Sequence, residues 1–122
     1  MKTSIKTTRL TLTSAISGYI DKKIADIEKL IAKDDESASV HVEIEKTTAH
    51  HHAGDIFRAE INVHIAGKSL RAEATKEDLY AALDEIKDEI IRELSSHKNK
   101  QKTLIKKGGR LIKSRLRGFS QE

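Results

Sequence analysis

Between Leu70 and Leu94 the apolar residues of this chain change period with almost no interruption, and that switch limits what it can fold into. Leu70, Ala72 and Ala74 alternate with Arg71 and Glu73, the two-residue period of a strand with one buried face. From Leu79 the apolar residues Leu83, Ile86, Ile90 and Leu94 follow at spacings of 4, 3, 4 and 4, the stripe of an amphipathic helix. Thr75, with Asp78 three residues on, has the form of a capping box and predicts the helix start. A strand feeding a helix, each apolar on one side only, calls for a two-layer fold that buries both against a common core.

The rest of the chain supplies the partners. Ile16, Ile20, Ile24, Ile27 and Ile31 recur at spacings of 4, 4, 3 and 4, with Thr13 placed to cap the helix and Tyr19 and Leu30 flanking the stripe. Asp34, Asp35 and Glu36 are expected to end it. Residues 3–8 read as a short strand with Ile5 as its one strong core candidate. Val40, Val42 and Ile44 alternate with polar residues, as do Phe57, Ala59, Ile61, Val63 and Ile65; a loop is expected over 47–55, and Ala66-Gly67 predicts a hairpin turn. The order is β-α-β-β-β-α. The expected class is α+β: a four-stranded sheet with a parallel first crossover, two helices on one face, and the other face polar and open.

At 122 residues the chain suits one domain with a modest core and a tail. No apolar run approaches the ~18 residues of a membrane span, the N-terminus lacks a secretory pattern, and cysteine is absent, so a reducing cytoplasmic setting is expected. The net charge of +4 conceals an asymmetry: residues 1–97 hold 14 Lys/Arg and 18 Asp/Glu, whereas residues 98–122 hold 9 and 1. An acidic globule (1–97) with a basic C-terminal extension (98–122), flexible when free, suits a polyanionic partner. Gly108-Gly109 breaks any helix continuing into that extension, and Leu111, Ile112, Leu116 and Phe119 give its end weak amphipathicity; no membrane partner is expected.

Catalysis needs a convergent acid, base or nucleophile, and no such motif is present, so neither enzyme activity nor a cofactor is expected. His50, His51 and His52 are consecutive, but side chains of an extended run point alternately, and no metal site is expected. For nucleic acid the aromatic count sets the mode. Phe57 has the inward phase, Tyr19 and Tyr80 are expected to pack where helices meet sheet, and outward aromatics for base stacking are missing. Recognition is therefore expected through phosphates and shape. The candidate RNA-binding residues are Lys22, Lys23 and Lys29 on the first helix, Arg71 on the fourth strand, Lys87 and Arg92 on the last helix, and Lys98, Lys100 and Lys102 at its exit. Lys2, Lys6 and Arg58, on the open sheet face, are weaker candidates.

The run AEATKEDLYAALDEI followed by HKNK resembles the bacterial ribosome hibernation-promoting factors and ribosome-associated inhibitors, the sigma-54 modulation protein family. Glu77, Asp78, Tyr80, Ala81, Ala82, Leu83, Asp84, His97, Lys98 and Lys100 match its motif, while Thr13, Tyr19, Lys22, Lys23 and Gly67 agree more loosely. Ser95 and Ser96 stand where relatives carry basic residues. The resemblance implies a fold similar to double-stranded-RNA-binding domains. It also implies a short-form translation inhibitor, monomeric when free, that binds the small ribosomal subunit and its rRNA in the mRNA/tRNA channel and silences ribosomes under stress or in stationary phase. A general RNA-binding or RNA-chaperone module and a protein-interaction regulator of transcription are the alternatives.

Overall fold

In the computed structural model, residues 1–33, 35–48 and 54–96 are described, and they form the expected order of elements. Strand β1 (Lys2–Thr8) leads to helix α1 (Ser14–Glu28), then come β2 (Ser39–Thr48), β3 (Asp55–Ile65), β4 (Lys68–Lys76) and helix α2, residues 79–96. The sheet order is β1-β2-β3-β4. β1 lies parallel to β2, as a helical crossover permits, and the remaining pairs are antiparallel. The chain divides into two compact units, Met1–Arg92 and Glu93–Glu122; of the second, residues 93–96 are described and are helical.

Register explains the two-faced sheet. Val42 is paired with Ile5 and Ile61, and Ile61 with Ala72, so one row crosses all four strands on the inner face. Ile20, Ile24 and Ile27 of α1 and Leu79, Ala82, Leu83, Ile86 and Ile90 of α2 are buried, as are Val40, Val42, Ile44, Ala59, Ile61 and Val63 of the sheet. Ile27, Ile44 and Ile90 have no exposed surface; each such side chain contributes about 1.5–3 kcal/mol through burial. No polar or charged residue is buried among the described residues. The neighbouring row, Lys6–Glu43–Glu60–Glu73, lies on the opposite, open face.

Element ends depart from the sequence expectations in three places. The α1 start agrees: Thr13 Oγ1 accepts from the Ile16 N–H at 3.2 Å. Its end does not. The α-helix stops at Glu28, and three-residue hydrogen bonds from Leu30 N–H to Ile27 O and from Ile31 N–H to Glu28 O tighten the exit while Ile31 stays buried. Asp35, expected only to terminate the helix, accepts from the Ala66 N–H at 2.9 Å and so holds the β3–β4 turn, where Gly67 takes φ +70°. Second, Thr75 does not cap α2, because it belongs to β4 opposite Arg58. Asp78 is the cap: its Oδ1 accepts from the Tyr80 N–H at 3.0 Å, and its carbonyl accepts from the Ala82 N–H. Third, part of the expected 47–55 loop is ladder, since the β2–β3 arms pair out to Thr48 and Asp55.

Candidate nucleic-acid interface

The two helices carry most of the candidate cations, and their fates differ because acids are interleaved with them. Lys22 and Arg92 are exposed and have no ion-pair partner among the described residues. Lys23 is largely covered: its ammonium is 2.9 Å from Asp84 Oδ1 and 4.5 Å from the centre of the Tyr19 ring, a cation–π distance. The Tyr19 hydroxyl donates to the same carboxylate oxygen. That hydrogen bond, followed by Lys23, holds the Asp84 carboxyl below its ordinary range, and Asp84 in turn raises the Lys23 ammonium and the Tyr19 hydroxyl above theirs. Asp26 faces two cations, Lys29 at 3.8 Å and Lys87 at 4.0 Å, and Lys87 also reaches Asp88 at 3.2 Å.

Arg71 sits apart from these, on the open sheet face. Its guanidinium contacts Glu60 at 3.0 Å and Glu73 at 3.0 Å. Arg58 contacts Glu73 at 2.7 Å, reaches Glu60, and approaches Glu45 at 4.0 Å. Glu60 is the hub, with its side chain only 12% exposed, and Asn62 donates to it as well. Hydrogen bonds from Arg71, then Asn62, pull its carboxyl down to about 2 from an ordinary 4.5. Of the remaining weaker candidates, Lys6 lies 3.7 Å from Glu43. The face that the alternating strands leave open is thus laced and charge-balanced.

Tyr19 and Tyr80 stand at the helix rim, where Tyr80 shares a cavity wall with Phe57 of β3. The two tyrosines meet each other edge to face, with centroids 4.8 Å apart and planes at 86°, and Tyr80 remains 37% exposed. Their place on the rim follows from phase: Tyr80 is one residue past the buried Leu79 and two before the buried Ala82. No group of three or more potential metal ligands occurs among the described residues. His41 shares a hydrogen bond with Ser4 and His64 with Ser69, while His50, His51 and His52 lie outside the described residues. So do Lys98, Lys100 and Lys102. No helix among the described residues is long and apolar enough to cross a membrane. Helical spacing offers Asp26 as an i,i+4 partner of Lys22, but in the structure Asp26 pairs with Lys29 and Lys87 instead; Asp84 and Glu60 could not be singled out, because spacing along one element carries no signal of a contact between two.

The family described as sigma 54 modulation protein / S30EA ribosomal protein matches residues 3–102. The chain belongs to this family. It is 31% identical over 101 residues to the ribosome hibernation promoting factor of Azotobacter vinelandii, covering 83% of this chain and 86% of that one. It is 32% identical over 91 residues to the ribosome hibernation promotion factor of Staphylococcus aureus (strain COL), covering 75% of this chain and 45% of that longer protein. Among solved structures, the N-terminal domain of Thermus thermophilus Protein Y superposes with a TM-score of 0.60 at 26% identity, covering 80% of this chain and 99% of that one. A ribosomal subunit interface protein from Coxiella burnetii gives a TM-score of 0.63 at 17% identity over 81% of this chain and 99% of that one, a likeness of fold alone.

Proposed function

We propose that this protein is a ribosome-associated inhibitor of translation that occupies the mRNA/tRNA channel of the small subunit and holds ribosomes inactive under stress or in stationary phase. The observation that carries this reading is the family match over residues 3–102, joined to a hibernation promoting factor alignable over most of both chains. The physical basis is occlusion. A rigid two-layer domain fills space that mRNA and the anticodon ends of tRNAs need, and lysines and arginines neutralise rRNA phosphates around it. No bond is made or broken. Lys22 and Arg92, exposed and unpaired among the described residues, are the phosphate contacts favoured on the folded domain. Lys29 and Lys87 must exchange Asp26 for phosphate, and Arg71 must leave Glu60 and Glu73. Lys98, Lys100, Lys102 and the basic residues that follow supply a second group of contacts, and the chain acts as a monomer when free.

Sucrose-gradient sedimentation of stationary-phase lysate tests the reading, together with translation of a reporter mRNA in a purified system. Cosedimentation with the small subunit and dose-dependent loss of initiation are expected. Protein found free or on mRNA, with initiation intact, would instead favour a general RNA-binding module; persistent binding to RNA polymerase after nuclease treatment would favour a transcription regulator.

A further inference from the structure

The end of the fold where β1 leaves the sheet and both helices begin holds an open cavity of about 600 Å³, within the ~300–1,000 Å³ range of small-ligand sites. Its wall includes Ile16, Phe57 and Tyr80, and its charged groups are Arg9, Lys46, Glu77 and Asp78, the last with one carboxylate oxygen engaged by the Tyr80 N–H. Tyr80 is 37% exposed and Phe57 half-buried, so aromatic surface is available there, although no strand presents an outward aromatic. Arg9 and Glu77 are exposed and have no ion-pair partner among the described residues, and Lys46 is held by Asp55 at 3.2 Å. Arg9 is also the one non-glycine residue with a positive φ, +61°, among the described residues.

We infer that this cavity is a binding site for one unstacked nucleotide of single-stranded RNA. Resting on the proposed RNA-binding function, the inference gives that function a site for a base as well as sites for phosphates. The chemistry divides among five residues. Tyr80 and Phe57 offer ring surface against which a base stacks, a contact available to all four bases because each has a π face. Arg9, which has no ion-pair partner among the described residues, takes the adjoining phosphate, and Lys46 adds positive potential against the carboxylates of Glu77 and Asp78. The free Glu77 carboxylate accepts from an exocyclic amine of the base, favouring cytosine over uracil. A peptide is the poorer occupant: the cavity joins both signs of charge to aromatic surface without a hydrophobic groove long enough for a helix.

The test uses the full chain and the probes rC6, rU6 and rA6, read by amide chemical shifts and by quenching of tyrosine fluorescence. Alongside runs ribosome cosedimentation. Arg9→Gly removes the cation and relaxes the positive φ, so the fold is retained; Tyr80→Leu removes the ring but keeps an apolar wall. Saturable shifts at Arg9, Lys46, Phe57, Glu77 and Tyr80, tighter for rC6 than for rU6, are expected. Tyr80→Leu should weaken rC6 binding about tenfold, the worth of one stacked base. Arg9→Gly should weaken all three probes, and Glu77→Gln should erase the preference for rC6 over rU6. Shifts confined to Lys22 and Arg92, or no hexanucleotide binding by a chain that still cosediments with ribosomes, would overturn the site and leave the ribosomal reading intact. Loss of cosedimentation in Arg9→Gly without any hexanucleotide response at the cavity would overturn it too, in favour of a protein contact. If the chain fails to cosediment but rC6 still titrates the cavity, the nucleotide site stands and the ribosomal reading falls.

Discussion

The Lys23 ammonium lies 2.9 Å from an Asp84 carboxylate oxygen and 4.5 Å from the Tyr19 ring centre, so one residue of α1 is bound to α2 by charge and to its own helix by cation–π attraction. The Tyr19 hydroxyl donates to the same carboxylate, so Asp84 collects both donors. The sequence motif that carries the family resemblance therefore has a structural reason for its aspartate, namely to set the spacing of the two helices at their rim. A lysine held this way has less to give a phosphate than its neighbour Lys22, which has no ion-pair partner among the described residues.

Asp84→Ala is expected to cost about 1–2 kcal/mol in urea unfolding, because the half-exposed pair contributes at most ~1 kcal/mol and the charged hydrogen bond from Tyr19 adds to it. A double-mutant cycle with Lys23→Met should show coupling of roughly 0.5–1 kcal/mol. Ribosome occupancy should fall less for Lys23→Met than for Lys22→Met. Equal losses would return Lys23 to the interface.

Stability against acid should be governed by the open sheet face. The Glu60 carboxyl is held at about 2 in the fold against an ordinary 4.5. A depressed carboxyl binds protons more readily in the unfolded chain, so its contribution is complete above pH ~4.5 and is lost as pH falls from there towards 2. Glu73, Asp84 and Asp35 are shifted in the same direction and add to the loss. Solvent screening around the exposed Arg71 reduces the Glu60 share to the order of 1–2 kcal/mol. The melting temperature should drop across that window, and Glu60→Gln should flatten the drop. An unchanged slope in Glu60→Gln would place the acid sensitivity elsewhere.

Hydrophobic period made most of the fold legible in the sequence. The Ile16–Ile31 and Leu79–Leu94 stripes and the alternation about Val42, Ile61 and Ala72 each state which side is buried, and one arrangement buries all of them. The α2 start was misplaced because Thr75 and Asp78 satisfy a capping pattern equally well on paper, and only the β3–β4 ladder keeps Thr75 in the strand. Ion-pair partners on different elements were not legible. Lys87 and Asp26 lie on different helices, and Arg58 and Glu73 on different strands, so their pairing depends on tertiary register rather than spacing. The exposed Lys22 and Arg92 could be named from sequence; their freedom from local acids could not.

Salt should weaken ribosome binding steeply. If about six lysines and arginines engage phosphates, the slope of log affinity against log salt is roughly −4 to −5, at ~0.7–0.9 per contact. Deleting residues 101–122 removes the charges of the C-terminal extension beyond Lys100 and should make the slope shallower, measured by cosedimentation between about 50 and 200 mM salt. Every core side chain named above lies before residue 95, so the truncated chain should still melt cooperatively. A slope near zero in the full chain would leave shape and protein contacts as the source of affinity.

Charge reversal at Lys22 of α1 and Arg92 of α2 should cost binding without stability, whereas Tyr80 at the start of α2 carries a small share of stability beside its ring surface in the cavity. Tyr80 contacts Tyr19 but is 37% exposed, so Tyr80→Ala opens no enclosed cavity. It should cost about 1 kcal/mol, the ring–ring contact plus partial burial, well short of the ~3–5 kcal/mol of a core aromatic. Lys22→Glu combined with Arg92→Glu should change the melting temperature little, because neither residue has an ion-pair partner among the described residues. The same pair places four units of charge change on the helices' exposed surface and turns attraction to phosphate into repulsion, so ribosome occupancy should fall at least tenfold at low salt and less at high salt, as screening shortens the reach of the added carboxylates. Circular dichroism melts and quantitative cosedimentation of the two variants check this. Charge reversals that unfold the protein would make Lys22 and Arg92 structural, and reversals that leave translation inhibited would move the phosphate contacts to the open sheet, where Arg71 would have to be released from Glu60 and Glu73.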